Sequence, residues 1–277
     1  MEDKKTWSEL LEESLPRNPV LHEKLKAWHL NLDQQAKVIH YNLSKFKNLK
    51  GQRLLDFGCG ESGIAVYFAK QGLETWATDM QEPPLYRTRV RAEENGVEVK
   101  TFKLNERGIA EGVEDHQFDI IICHEVIEHS SAPGITISEW KRLVKKDGLI
   151  YVTSPNRLGP RWFFSDPHYQ LPLVSALPKR AADYLVRKLR LVENDVVRLY
   201  NPWLLGRMFV KSGLEIVYSY PDEVREKLTK PQRIVSPTKK KIFSILNWFG
   251  LTALIIFILP LLHLFSESLI FILKPAD

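Results

Sequence analysis

At 277 residues the chain is long enough for one large α/β domain, or one domain with an appendage, and its 44% of hydrophobic residues supports a full core. Its 39 Lys and Arg against 34 Asp and Glu leave a net charge of +5. That mild surplus suits an anionic surface better than dedicated nucleic-acid binding, and no aromatic-basic interleaving or zinc-finger spacing points to a nucleic-acid partner. The two cysteines, Cys59 and Cys123, read as reduced thiols in a reducing compartment. The charged first residues, with no apolar run behind them, do not read as a secretory leader.

In chain order, Trp7, Leu10, Leu11 and Leu15 share one face of a short amphipathic helix over Thr6–Leu15. Asn18-Pro19 then marks a cap and a first helical residue. Leu21, Leu25, Trp28, Leu32, Ala36, Ile39, Leu43 and Phe46 recur at spacings of three and four, which predicts one long helix with a buried stripe. Residues 1–50 are thus expected to form a helical cap, with His22, His29 and His40 as half-buried members of it. The stretch Arg53–Gly72 follows: an apolar run ending at Asp56, a turn through Gly58, Gly60 and Gly63, and a helix with Ile64, Ala65, Phe68 and Ala69 inward. Strand, glycine turn and helix N-terminus in that order cradle a nucleotide, because glycine accepts positive φ and puts no Cβ in a ligand's way. Ser62, or the turn itself, caps that helix.

Leu73–Thr78 reads as a second strand that ends at Asp79, about 20 residues on, where a carboxylate can accept two ribose hydroxyls. Pro83-Pro84 opens a charged helix that closes at Asn95-Gly96, and Val97–Leu104 is a third strand followed by Asn105-Glu106. Phe118–Cys123 is a buried fourth strand running into His124-Glu125-Val126-Ile127-Glu128-His129. A helix from Ala132 to a turn at Asp147-Gly148 carries Ile135, Trp140, Leu143 and Val144 inward, and Leu149–Thr153 is the fifth strand, ending in Ser154-Pro155-Asn156-Arg157. Alternation through five strands implies a parallel sheet with helices on both faces, and a ligand beyond the carboxyl ends where strand order reverses. Asn201-Pro202 caps a helix stopping at Gly213, and Leu214–Tyr220 is a sixth strand.

The strings DFGCGESG, FDIIICHEVIEH and GLIYVTSPNR, with Asp79 between the first two, resemble the class I S-adenosylmethionine-dependent methyltransferases, most closely the branch of the ubiquinone-biosynthesis O-methyltransferases. Asp56 agrees with that resemblance, since a carboxylate before the turn repels a pyrophosphate but attracts a ligand carrying an ammonium and a sulfonium. The resemblance implies a Rossmann-like, seven-stranded, mostly parallel sheet whose last strand is antiparallel, over residues 51–220 plus 267–275. It implies that the glycine turn holds the methionine part of the cofactor, the acid after the second strand the ribose, and residues after the fourth strand the sulfonium. Carried over, these are Asp56, Gly58, Gly60, Asp79 and His124, with Cys59 and Gly63 in the same turn, Cys123 at the strand end and Asn105 toward the adenine. The chain departs from the commoner pattern in having Ser62 before Gly63 where the family places glycine one residue earlier.

Some quinone O-methyltransferases are thought to hold a magnesium-like cation with the E-x-x-E-H group, here Glu125, Glu128 and His129; the alternative is that Glu128-His129 closes the loop by hydrogen bonds. If the methyl acceptor is a hydroxyl, His129 or His168 is a candidate base near neutral pH, whereas a carboxylate acceptor needs none. Residues 155–200 form a long lid insertion with Trp162, Phe163, Phe164, Asp166, His168 and Tyr169, then a helix bearing Lys179, Arg180, Arg187, Lys188 and Arg190. Aromatics beside a basic helix suit an amphiphilic or lipid acceptor with an anionic head, or simply a packed lid with a solvated face.

Ile242–Phe265 contains no Asp, Glu, Lys or Arg, follows Lys239-Lys240-Lys241 and is long enough to span a bilayer. The resemblance requires a last strand, and Ser268–Leu273 is the remaining candidate for it. If that strand rejoins the sheet, the apolar run leaves and returns on one side, which a single span cannot do. Residues 236–266, divided by Pro260, are therefore expected to insert monotopically at the cytoplasmic face of a membrane; a lid or homodimer face on a cytoplasmic protein, or a true span, are the alternatives. Two functions fit: a methyltransferase acting on a lipid, prenyl-quinone or lipid-linked glycan, and a cofactor-binding but catalytically idle partner protein.

Overall fold

A computed structural model of the chain describes residues 5–17, 19–61, 63–160, 174, 177, 179–190, 197–229, 241, 244–245 and 266–276. Ser62, the aromatic lid stretch with His168, and nearly all of the apolar run Ile242–Phe265 lie outside the described residues.

Strands β1 (Arg53–Phe57), β2 (Glu74–Asp79), β3 (Val99–Lys103), β4 (Phe118–His124), β5 (Val144–Pro155), β6 (Leu214–Ser219) and β7 (Ser268–Pro275) form one sheet in the order β3-β2-β1-β4-β5-β7-β6. Neighbours from β3 to β5 are parallel, and β7 runs antiparallel between β5 and β6, with Pro155 opposite Ser268. The expected seven-stranded architecture is therefore present, and the expected return of Ser268–Leu273 to the sheet occurs. Strand order reverses between β1 and β4, so their carboxyl ends, Phe57 and His124, open the crevice where such sheets bind ligands.

Period-2 alternation decides which core each strand residue enters. Leu55, Phe57, Ile121, Cys123, Ile150 and Val152 pack on one face with α6 (Pro133–Leu143) and α8 (Pro202–Lys211). Leu54, Ile120, Ile122, Leu149 and Tyr151 pack on the other with α3 (Leu32–Ser44) and α4 (Gly63–Lys70). Both faces are covered, which is why Ile120–Cys123 reads as an unbroken apolar run.

Three local expectations are corrected. The long N-terminal helix is two helices, α2 (Pro19–Leu30) and α3, broken at Asn31. Only the α3 part of the stripe is buried (Leu32, Ala36, Ile39, Leu43), while Trp28 is exposed. The helix after β4 ends at Leu143; Val144 already belongs to β5, and Ile135 faces solvent. Pairing of Phe118 with Val144, ahead of a register shift, extends β5 backwards and outweighs the helical pattern. Helix α9 (Tyr220–Thr229) is an element the apolar pattern did not announce. The remaining helices are α1 (Trp7–Ser14), α5 (Glu82–Glu94) and α7 (Lys179–Arg190).

Among the described residues Trp140 is the largest wholly buried side chain, edge-on to Phe57 with ring centroids 6.0 Å apart. Its indole N–H has no partner, so Trp140→Phe gives up packing but no hydrogen bond. Trp140→Ala is expected to cost about 3–5 kcal/mol in urea unfolding and Trp140→Phe distinctly less. Equal losses from both would contradict a packing role for the ring.

Candidate active site at the glycine turn

The turn after β1 has φ of +75° at Gly58 and +48° at Gly60. Its backbone hangs from β2, since the N–H groups of Gly58 and Cys59 both donate to the Thr78 carbonyl, at 2.8 and 2.9 Å. A Cβ at Gly58 would lie 2.7 Å from Val126 Cγ2, so side chains are excluded there by space as well as by φ. A Cβ at Gly60 would meet nothing within 4 Å: that flank of the turn is open. At Gly63 a Cβ would come within 2.4 Å of Leu32 Cβ, and the missing side chain lets α3 press directly on the start of α4.

Two carboxylates face this turn. Asp56 is 2% exposed, and its Oδ2 accepts the Ala65 N–H at 3.1 Å, satisfying one of the donors left over in the first turn of α4. Burial pushes its pKa up to about 7, with that hydrogen bond opposing and the nearby Asp79 adding to the rise. Asp79 accepts from the Gly60 N–H at 3.3 Å and the Gln81 N–H at 3.0 Å. Its pKa is also raised by burial, against the pull of these backbone donors. Buried acids of this kind await a positive charge or hydroxyl donors.

At the end of β4, His124 is fixed on three sides. Gln35 Oε1 on α3 accepts from its Nε2, Thr153 donates to its Nδ1 at 2.7 Å, and Trp28 on α2 stacks parallel to the ring at 6.0 Å between centroids. Burial lowers its pKa to about 4, so the imidazole is neutral. The two N-terminal helices therefore lie over the crevice, and the break at Asn31 is what brings both Trp28 and Gln35 to one histidine.

Beyond His124 the chain takes a tight path, with Glu125 at φ +56°, a costly conformation for this residue type. A single 3-10 turn, Ile127–His129, follows. Glu128 is wholly buried; its Oε2 accepts from Ser154 at 3.1 Å and its Oε1 has no partner. Burial, then the neighbouring Glu125 charge, holds Glu128 well above the usual carboxylate range, while burial raises Glu125 to about 7. The two act as a pair in which Glu128 keeps its proton and Glu125 ionises.

The structure does not assemble the expected cation site. His129 is exposed while Glu128 points into the core, and among the described residues no three His, Cys, Asp or Glu side chains gather as ligands. The segment is not an α-helix, so the spacing that would align the three does not apply. Exposure also sets His129 apart from the crevice as a base, and His168 lies outside the described residues. Cys123 is buried in the sheet core and Cys59 turns its sulfur toward Thr88 at 3.5 Å, so neither thiol faces the crevice. Asn105 spends its side chain on its own loop, accepting from the N–H groups of Arg107 and Ile109 and donating to Glu111. Sequence reasoning missed Trp28, Gln35, Thr153 and Ser154, whose roles come from contacts remote in the chain.

Residues 55–152 match the family model of a methyltransferase domain. The ubiquinone biosynthesis O-methyltransferase of Pasteurella multocida is 32% identical over 156 residues, covering 53% of this chain and 63% of that protein. The Pseudomonas putida protein of the same name is 29% identical over 169 residues, covering 61% and 67% respectively. The chain thus spans about two thirds, or somewhat less, of these curated relatives. Among solved structures, a SAM-dependent methyltransferase from Aquifex aeolicus has a TM-score of 0.50 at 16% identity, covering 78% of this chain and 92% of that one. Magnesium protoporphyrin IX methyltransferase from Synechocystis has a TM-score of 0.54 at 12% identity, covering 98% and 93%, and these likenesses concern the fold. Residues 55–152 thus form a methyltransferase domain, and the chain is similar in sequence and fold to S-adenosylmethionine-dependent methyltransferases. The open flank at Gly60, the buried Asp56, the half-buried Asp79 and the neutral His124 fit that cofactor's ammonium, ribose and sulfonium.

Asp56 makes stability depend on pH. Between about pH 4 and 7 the native chain holds a proton that the unfolded chain has released, so stability falls as pH rises through that window and levels off above it. Asp56→Asn should remove up to about 1.4 kcal/mol of that decline per pH unit. Denaturant midpoints of both proteins from pH 4 to 8 test this; parallel profiles would place the Asp56 proton elsewhere.

Proposed function

We propose that the chain methylates a hydroxyl of a quinone-type, amphiphilic acceptor presented at the cytoplasmic face of a membrane. The observation that carries the reading is the carboxyl pair directly after β4, with Glu125 half-buried beside the crevice and Glu128 wholly buried behind it. S-adenosylmethionine, when bound, supplies a methyl group already activated on a sulfonium. The protein's residues then have to hold the cofactor, align the acceptor, exclude water and take a proton.

Asp56, the Gly58–Gly60 backbone and Asp79 would hold the cofactor. His124 would flank it as a neutral ring, where a protonated imidazole would repel a cation. Trp28 and Gln35 keep water from that side. Glu125, with its pKa near 7, is suited to accept a hydroxyl proton at neutral pH, and Glu128 keeps its own proton and so adds no second negative charge. A carboxylate acceptor would meet the Glu125 charge and needs no base, so the pair favours a hydroxyl. The names of the relatives point the same way.

The membrane part of the proposal rests on sequence and connection. No helix among the described residues is long and apolar enough to cross a membrane. The described chain resumes after the apolar run at Ser266, whose carbonyl accepts from Asn156 Nδ2 at 2.8 Å, and Asn156 N–H donates to the Glu267 carbonyl at 2.9 Å. Asn156 directly follows β5, so the described chain resumes at Ser266 on the same edge of the sheet as the crevice.

Glu125→Gln should lower kcat about a hundredfold or more at pH 7 while S-adenosylmethionine still binds by calorimetry, and the residual rate should lose the rise with pH around 7. An unchanged pH profile would remove Glu125 as the base. For the acceptor, membranes incubated with methyl-labelled cofactor should yield label in the lipid extract. Label confined to water-soluble products would overturn the membrane acceptor.

A further inference from the structure

Helix α5 presents Arg87, Thr88 and Arg91 toward the outer side of the glycine turn. Arg87 Nε donates to Glu61 Oε2 at 2.6 Å, Thr88 Oγ1 lies 3.5 Å from Cys59 Sγ, and Arg91 Nη1 donates to the Glu61 carbonyl at 3.1 Å. Glu61 and Arg91 are both buried, at 6% and 8% exposure, in a turn whose other side is open at Gly60. Arg91 is gripped in turn by the N-terminal helices. The Trp7 ring of α1 covers its guanidinium at 4.0 Å, and Asp33 of α3 pairs with it at 3.5 Å. The backbone N–H of Trp7 also donates to Glu94 Oε1, one turn further along α5, at 2.7 Å. Trp7, Leu11 and Val90 form a small separate core that joins α1 to α5 alone.

We infer that Arg91 is a positioning residue for cofactor binding, and that through it the docking of α1 and the occupation of the glycine turn are coupled. The argument is one of geometry. The turn's amides can serve a ligand only if its backbone is held, and on its outer side it is held by the carbonyl and carboxylate of Glu61. Both are anchored to arginines of α5. Arg91 is a buried cation whose neighbours are an indole face, a carbonyl and Asp33. Removing the Trp7 cover opens it to water and weakens its hold on Glu61. Coupling is reciprocal: a ligand that orders the turn strengthens the docking of α1 by the same factor. The inference rests on the turn being the S-adenosylmethionine site.

Coupling of this kind has a typical size of about tenfold. Trp7→Ala and Arg91→Met are each expected to raise KM for S-adenosylmethionine about tenfold, with a much smaller loss in kcat at saturation. A purely structural role would lower the active fraction, and so the apparent kcat, without moving KM. In the unmutated chain, backbone amides of α1 should exchange hydrogen several-fold more slowly with S-adenosylhomocysteine bound, and Trp7→Ala should abolish that protection. Arg91→Met takes a donor from the carbonyl of the buried Glu61 and can fail to fold; Trp7→Ala and the exchange measurement do not depend on it. KM unchanged in Trp7→Ala, or α1 exchange indifferent to the cofactor product, overturns the coupling. Absence of any binding to the unmutated chain would instead refute the assignment of the turn itself.

Discussion

A carboxylate with 2% exposure at the end of the central strand is the constraint around which this molecule is arranged. Asp56 cannot be solvated, and an ionised carboxylate in such a place is expensive unless something positive faces it. The fold supplies part of the answer with an orphan amide of α4, through Ala65, and withholds the rest. Burial accordingly keeps the group near the point of protonation at neutral pH. A cationic ligand completes the site, which gives a physical reason for the cofactor that the family uses. The glycines follow from the same demand, because the chain must leave β1 and reach the start of α4 without filling the space above Asp56.

The cover over this crevice is made by residues with little else in common. Trp28 and Gln35 come from different helices and meet only because the chain breaks at Asn31. Their shared target, His124, is locked by Thr153 on its other side, so a residue at the end of β4 is fixed by groups from α2, α3 and β5. Elsewhere Lys45, at the end of α3, bonds Tyr218 at 2.9 Å and pairs with Glu226 of α9. The cover is thereby tied to the far edge of the sheet as well as to the site. The N-terminal helices belong to the working structure rather than to its decoration.

The sequence carried the sheet and the residues of the glycine turn but not the cover that lies over them. Strands were legible because Leu54-Leu55 and Ile120–Cys123 are continuous apolar runs, the mark of strands covered on both faces. Asp56, Gly58, Gly60 and Asp79 were legible because strain and charge confine those positions to few residue types. The α2–α3 break was not legible, since Asn31 is neither proline nor glycine and the stripe runs on through it. Gln35 meets a partner 89 residues away, a distance over which no local pattern speaks. The E-x-x-E-H string misled for a specific reason: spacing rules for a helix were applied to a segment that turns through φ +56° at Glu125 and then makes one 3-10 turn. Val144 failed as a helix residue because strand pairing with Phe118 decided its state.

That turn at Glu125 also connects the two halves of the site. A bulky residue at positive φ persists only where its surroundings over-determine it. Here the Glu125 N–H is held by both the carbonyl and the hydroxyl of Thr153, at 3.2 and 3.3 Å, and Val126 closes against Gly58. The same contact that forbids a side chain at the cofactor turn thus holds the backbone that presents the carboxyl pair. Glycine at position 58 serves two purposes: it frees the turn for a ligand, and it lets Val126 approach closely enough to aim Glu125 and bury Glu128. The turn proposed for the methyl donor and the carboxyl proposed to accept a proton are set by one packing contact, so a change on either side of it is felt on both.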